Sequence, residues 1–164
     1  MNALAARSLL SLGTLAVVVP AGPEQPRPFP GAGLVLLHTR EAPAAALARL
    51  AAVARQQGHV VDTLSAVRFA TAPRTYAFPK GGAALRAVYR FAANAVPEGT
   101  GAVLALAGTY RAPQGDDPGP EEPMAYGGAR TSQSAACFGP AQRLVFGYRG
   151  GSKVGYQAQP QRGR

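Results

Sequence analysis

The stretch ALRAVYRFAANAVPEGTGAVLALAGTYRA (residues 84–112) decides the fold expected for this chain. Its first half alternates with a period of two residues, so that one side is apolar and aromatic while the other is largely basic. The apolar side holds Leu85, Ala87, Tyr89 and Phe91, and the other side holds Arg86, Val88 and Arg90. Such alternation is typical of an antiparallel strand with one face in water.

A turn and a second strand complete a hairpin. The segment VPEGTG (96–101) supplies one proline and two glycines at the bend, which are residues that tight turns prefer. The next residues, 102–112, are apolar on both faces, and this favours a more central place in the sheet. The sequence therefore predicts an antiparallel hairpin at the centre of the fold.

A helix is predicted before the hairpin, from Pro43 to Gln57. Its apolar residues fall at helical spacing and form one stripe. The stripe consists of Leu47, Leu50, Ala51 and Ala54. Pro43 suits a first helical turn and Gly58 suits the position just past the end. We expect this stripe to pack on the side of the hairpin that carries Leu85, Tyr89 and Phe91.

The remaining elements are shorter. The segments Gly33–Glu41, Val60–Val61 and SAVRFAT (65–71) are typical of strands, and KVGYQ (153–157) fits a last edge strand. A short helix is predicted after Pro140, with Gly150 past its end. The expected fold is α+β: a two-layer sandwich in which an antiparallel sheet of about four strands carries a long helix and a short C-terminal helix on one face, in the order βαβββαβ.

Four segments of the span Gly33–Tyr156 resemble a group of small bacterial envelope domains of helix-grip type, many of which are lipoproteins. These segments are RQQGHVV (55–61), RFATAP (68–73), VLALAGTY (103–110) and GGSKVGYQ (150–157). The resemblance implies an envelope protein with the same order of strands and helices. It brings no functional residue with it, because the family pattern contains none. The chain departs from the lipoproteins of that group in having no cysteine at the expected cleavage site.

The N-terminal segment has the layout of a signal peptide. Arg7 precedes an apolar run from Leu9 to Val19, which is shorter than the ~20 residues of a membrane-spanning helix. Small residues then occupy the positions before a cut between Ala21 and Gly22. The sequence predicts a signal peptide over 1–21 and a periplasmic or secreted protein without a transmembrane helix. The alternatives are a core strand formed by LAVVV or an uncleaved anchor.

One domain is expected, spanning 33–156 after an extended Pro-rich spacer over 22–32. Residues 113–135 have no periodicity, and Pro, Gly and acidic residues dominate them, so we expect a mobile acidic loop. Half of the eight acids lie here, namely Asp116, Asp117, Glu121 and Glu122. They lack the spacing of a calcium loop. A disordered basic tail is expected over 157–164.

Residues for chemistry are few. The only histidines are His38 and His59, and the single cysteine, Cys137, is remote in sequence from both. A nucleophile needs a base beside it, and a zinc site needs three or four ligands in close sets. The glycine-containing segments 31–37 and 80–86 lack the spacing of phosphate loops. We therefore expect no catalytic site, no metal and no cofactor.

The charge of the chain points to anionic partners. A formal net charge of +9 favours contact with acidic proteins, lipid headgroups or nucleic acid. One hypothesis is an exported, non-catalytic envelope domain that binds an envelope protein or anionic surface, or acts as a scaffold. The other is a cytoplasmic basic domain that binds nucleic acid without sequence specificity.

The binding candidates for the second hypothesis are three arginines. Alternation places Arg68, Arg86 and Arg90 on the wet face of the predicted sheet. A sheet that recognises RNA carries aromatic residues on the same face as its basic residues. Tyr89 and Phe91 instead alternate to the opposite side. No specific nucleic acid is therefore expected as a partner.

Overall fold

The computed structural model describes residues 24–80, 83–113, 115–127, 133–148 and 152–158, with the backbone alone for residues 78–80, 83–85, 133 and 135. The predicted signal peptide and the cut after Ala21 lie outside the described residues. The described residues contain eight strands and two helices. These are β1 (Ala32–Thr39), α1 (Pro43–Gln56), β2 (Val61–Leu64), β3 (Arg68–Thr71), β4 (Arg74–Lys80), β5 (Ala83–Glu98), β6 (Gly101–Arg111), β7 (Glu122–Pro123), α2 (Gln133–Gly147) and β8 (Lys153–Ala158).

The strands form one antiparallel sheet around the predicted hairpin. Six strands follow the order β2-β3-β5-β6-β1-β8, while β4 also pairs with β5 and β7 also pairs with β6. The hairpin prediction is confirmed, since β5 and β6 pair continuously from Val88 opposite Arg111 to Glu98 opposite Gly101. β5 is 16 residues long, and its other edge pairs first with β4 and then with β3.

The predicted sandwich of about four strands with a long helix is wrong. Over the described ranges the chain is mostly sheet, with eight strands and two helices of 14 and 15 residues. β4 was not predicted, because prolines such as Pro73 and Pro79 are unfavourable in most strands. An edge strand tolerates proline, however, because its free edge needs no N–H donor, and in the described part of the sheet β4 pairs only with β5. β7 has two residues, too few for any periodicity to show.

α1 follows the prediction closely and supplies one side of the core. It begins at Pro43 and ends at Gln56. Leu47, Leu50 and Ala54 are at most 1% exposed, and they belong to the same core cluster as Tyr89 and Phe91 of β5. The side chain of Leu85 is not among those described. We call the sheet face that packs on the helices the inner face, and the opposite one the outer face.

α2 also packs on the inner face, but it begins about two turns earlier than predicted. Pro140 lies inside the helix and not at its start. Proline removes a backbone donor from the helix interior, yet the buried side of α2 extends across it. That side consists of Cys137, Phe138, Ala141, Leu144 and Val145, and Pro140 itself is buried. Burial of this stripe on both sides of Pro140 outweighs the missing hydrogen bond.

Residues 113–135, expected to form one mobile loop, include β7 and the beginning of α2. Glu121, just before β7, accepts a hydrogen bond of 2.6 Å from the hydroxyl of Thr109. It also forms ion pairs with Arg90 (2.6 Å) and Arg111 (3.3 Å). Burial alone would raise the pKa of Glu121, but the hydrogen bonds from Thr109 and the two arginines outweigh it and the pKa is lowered. The acidic segment is thus attached to the outer face of the sheet.

The domain extends beyond its predicted limits at both ends. The expected spacer reaches the sheet at Gln25, whose backbone exchanges two hydrogen bonds with Tyr156 of β8. The carboxylate of Glu24 lies over Gly155, where a Cβ would overlap it. At the other end, Gln157 and residue 158, which we expected in a disordered tail, belong to β8.

Candidate functional site

The three arginines predicted as binding candidates lie on the outer face but do not converge. Arg68 of β3 is opposite Asn94 of β5, and Asn94, Arg90 and Arg86 point the same way because they are separated by even numbers of residues. A strand rises about 3.3 Å per residue, so the eight residues between Asn94 and Arg86 place Arg68 and Arg86 about 26 Å apart.

The side chains on the outer face also do not suit a nucleic-acid surface. Arg90 is held by the carboxylate of Glu121, and Arg86 is exposed. The described strands present no Phe or Tyr on this face, since Phe69, Tyr89 and Phe91 point to the core. Stacking of bases on aromatic rings, the usual basis of single-strand binding, therefore has no platform on the described part of this face.

A second group of titratable side chains surrounds His38 on the outer face. Its Nδ1 lies 2.8 Å from a carboxylate oxygen of Glu98, and its Nε2 lies 2.9 Å from Glu24. Lys153 approaches the other oxygen of Glu24 at 3.8 Å. Burial lowers the pKa of His38, but the hydrogen bonds to Glu98 and Glu24 raise it by more, so that the pKa lies above its ordinary value. The cluster ties the segment before β1 to the β5–β6 turn.

The His38 cluster gives a pH prediction for stability. A histidine whose folded pKa is raised stabilises the fold fully below its unfolded pKa and loses that contribution as the pH rises through the folded pKa. We expect His38→Gln to lower the free energy of unfolding by less than about 1 kcal/mol at pH 5.5, because the pair is partly solvated, and by less still at pH 8.5. Urea unfolding of both proteins at the two pH values measures the difference. A larger loss at pH 8.5 would contradict the assignment.

A cavity of about 340 Å³ lies on the inner side of the sheet. It lies past the C-terminal end of α1, between β4, β5 and α2. Its chemistry comes from six side chains: Gln57, His59, Arg74, Tyr76, Tyr89 and Arg143. We call this site the basic pocket.

A helix end positions His59 in the basic pocket. The backbone N–H of Gly58 donates to the carbonyl of Arg55, and that of His59 donates to Ala54, at 2.9 Å each. This is a Schellman motif, which requires a residue with positive φ just past the helix. Gly58 meets the requirement with a φ of +79°. The motif turns the chain back under α1, and His59 becomes buried next to β5.

His59 is a neutral base inside the pocket wall. Only 5% of the residue is exposed, and its ring meets the rings of Tyr89 and Phe91 edge to face at 5.9 and 5.4 Å. Burial, together with the charges of Arg74 and Arg143, lowers its pKa. Its Nδ1 is buried and has no hydrogen-bond partner among the described residues. An unsatisfied buried nitrogen of this kind calls for an explanation, such as a bound water or ion.

Two exposed arginines form the rim. Arg74 of β4 donates from Nη1 to the carbonyl of Gln57 at 2.8 Å, and the Gln57 side chain donates to the carbonyl of Arg143 at 2.9 Å. The rings of Tyr76 and Tyr89 pack at right angles with centroids 6.2 Å apart. No acidic side chain appears among the described residues that line the cavity. The arrangement therefore suits an anionic group attached to an apolar body.

The described residues show no assembled nucleophile and base. His38 and His59 lie on opposite faces of the sheet, and Cys137 is fully buried, which raises its pKa to about 11. Within the same ranges there is no group of three or more His, Cys, Asp or Glu that suits a metal ion. No helix in the described part of the chain is long and apolar enough to cross a membrane.

Sequence reasoning placed His59 just after a helix end but did not identify the basic pocket. Arg74 lies on the unpredicted strand β4, and Arg143 is 69 residues further along the chain. The single local signal was Gly58, which marks the turn that buries His59. Comparison with known proteins adds nothing to the site: no protein-family model matches the chain, and no curated protein is significantly similar to it in sequence.

Proposed function

We propose that the chain is an exported, non-catalytic binding domain that holds an anionic group in the basic pocket. The observation that carries this proposal is the composition of the pocket. Arg74 and Arg143 stand at its rim, His59 with its buried and unpaired Nδ1 is one of its lining residues, and no acid is among its described lining residues. Guanidinium groups form strong, charge-assisted hydrogen bonds to anions. The net charge of +9 assists encounter with such a ligand.

The proposal of export is supported by the N-terminal sequence, in which Arg7 and a short apolar run precede small residues at the proposed cut. Within the described residues, Glu24 contacts His38 and Gln25 contacts Tyr156. A cut between Ala21 and Gly22 would leave all of these contacts in place. The resemblance of segments between Gly33 and Tyr156 to envelope domains supports the same compartment.

Export predicts a defined mature N-terminus. We expect N-terminal sequencing of the protein purified from its native host to begin at or near Gly22, because the apolar run up to Val19 and the small residues before the cut suit signal peptidase. A protein that keeps Met1 and fractionates with the cytosol would contradict the proposed localisation. The pocket would then be that of a cytosolic binding domain.

Binding in the basic pocket is tested by exchanging single arginines. We expect acetate, phenylacetate or inorganic phosphate to shift the backbone amide resonances of Gln57, His59 and Arg74. Arg143→Gln should weaken the binding about tenfold, since one charge-assisted hydrogen bond contributes about 1.5–3 kcal/mol. The exchange leaves the backbone carbonyl of Arg143 free to accept from Gln57. Titrations followed by NMR measure the affinity.

The matched control is Arg86→Gln, an exposed arginine on the outer face. It removes the same charge from the chain, so it should leave binding within about twofold if the pocket is the site. If Arg86→Gln weakens binding as much as Arg143→Gln, only the overall charge matters and the pocket is not the site. A steep loss of oligonucleotide binding with salt, shared by both variants, would instead favour non-specific binding of nucleic acid.

A further inference from the structure

We infer that the basic pocket is built for a carboxylate on a planar apolar body and discriminates against phosphate. This inference rests on the proposed function and names the ligand class of the same site. Three features of the pocket support this inference: its limited positive charge, the hydrogen bond that His59 can form, and the walls of the cavity.

The positive charge of the pocket suits a monoanion. One guanidinium, that of Arg74, already donates to the carbonyl of Gln57. The C-terminal end of α1 borders the cavity, and a helix C-terminus carries partial negative charge. Phosphate sites in proteins often use the N–H groups of a helix N-terminus. Here neither helix N-terminus lines the cavity, since α1 contributes its end and α2 contributes Pro140 and Arg143 from its middle.

His59 offers a single hydrogen bond and no charge. A neutral imidazole has one donor and one acceptor nitrogen, and Nδ1 is the nitrogen left without a partner in the described structure. Nδ1 is covered in the structure, so as the donor tautomer it would satisfy one carboxylate oxygen of a ligand that displaces the atoms covering it. Protonation to serve a more highly charged ligand is opposed by the buried setting against Tyr89 and Phe91 and by the two arginines. A carboxylate with two oxygens matches one guanidinium and one imidazole N–H.

The size of the cavity indicates a ligand that is larger than a carboxylate group alone. A cavity of about 340 Å³ is at the lower end of the range for small-molecule sites, and a carboxylate group fills only a small part of it. Tyr76 and Tyr89 present their rings, while Ala77 and Pro140 add apolar surface. A ring in the ligand would extend the edge-to-face packing already present. A free aromatic acid and the C-terminal carboxylate of a peptide ending in an aromatic residue share this chemistry.

The test compares matched probes on the folded full chain by NMR titration. We expect phenylacetate to bind about tenfold more tightly than acetate, which lacks the ring, and than phenylacetamide, which lacks the charge. Phenyl phosphate should bind more weakly than phenylacetate. A tetrapeptide with C-terminal Phe as free acid and as amide separates the two sources. Tighter binding of the peptide acid than of phenylacetate assigns a peptide terminus, and weaker binding assigns a free acid.

The variant Arg143→Lys provides a second test of the inference. Lysine keeps the charge but loses the planar fork that matches a carboxylate, so we expect about a tenfold loss for phenylacetate and little change for phenyl phosphate. His59→Leu removes the imidazole donor and should weaken phenylacetate binding as well, and its urea unfolding shows whether the fold is kept.

Two outcomes would overturn the inference and leave the proposed function standing. One is phenyl phosphate binding as tightly as phenylacetate, and the other is acetate doing so. If none of the probes shifts the amides of Gln57, His59 and Arg74, the proposed function itself fails.

Discussion

Leu50→Asp is expected to abolish cooperative unfolding of the domain. Leu50 is 1% exposed and lies at the centre of the α1 stripe, within the core cluster that includes Phe91. Loss of a buried leucine side chain costs about 2–5 kcal/mol, and an unpaired buried carboxylate adds several more. Because small domains are stable by about 5–15 kcal/mol, the sum consumes most or all of the stability. Urea unfolding followed by circular dichroism measures it.

The matched control is Ala48→Asp, two residues away on the exposed side of α1. It introduces the same charge into the same helix, so it should cost only the difference in helix propensity, about 0.5–1 kcal/mol. Arg49 also lies off the stripe, but it is a poorer control than Ala48. It pairs with Glu41 at 2.8 Å and lies over the ring of Tyr148 at 5.5 Å. Equal losses from Leu50→Asp and Ala48→Asp would contradict the packing of α1.

The elements that sequence reasoning predicted correctly are those whose signal is local and repeated. α1 combines a four-residue stripe with Pro43 at its start and Gly58 past its end, and β5 alternates along most of its length. Both patterns arise from contact with one continuous core, so several residues in each segment indicate the same secondary-structure element. The hairpin of β5 and β6 follows because only a short turn separates the strands.

The elements that it missed depend on partners distant in the chain. β4 is a strand because β5 offers a long free edge to Arg74–Lys80, and β7 exists because Tyr110 and Thr109 lie opposite it. Tyr110 also donates to the carboxylate of Glu122 at 2.6 Å. Neither pairing leaves a periodic trace in the shorter segment. The predicted sheet was therefore too small, even though its central hairpin was right.

The basic pocket could not be predicted for the same reason. His59 acquires its setting from the Schellman motif and from the rings of β5, while Arg74 arrives on the unpredicted strand β4. The outer-face arginines were placed on the right face by alternation. Their wide spacing, and the capture of Arg90 by Glu121, follow from strand pairing and from β7.

Gly101→Val is expected to destabilise the domain by about 3 kcal/mol, the upper part of the usual range for overpacking. Gly101 opens β6 and is buried. A Cβ at this position would overlap the carbonyl oxygen of Thr39 and come within 2.9 Å of the Cα of Arg40. Both are backbone atoms at the end of β1, so no side-chain rotation relieves the overlap. The free energy of unfolding in urea measures the effect.

The sequence alone leads to the opposite expectation for Gly101. Valine favours strands and glycine weakens them, so propensity predicts a more stable β6. Gly99, two residues earlier, is a turn glycine with a φ of +57°, whereas the φ of Gly101 is not in the left-handed region. Glycine is therefore required at position 101 because it has no side chain, and not because of its conformational freedom. Thr100→Val, at the exposed position between them, is the control and should change stability by less than about 0.5 kcal/mol. A Gly101→Val protein as stable as the parent would show that β1 and β6 do not approach as closely as described.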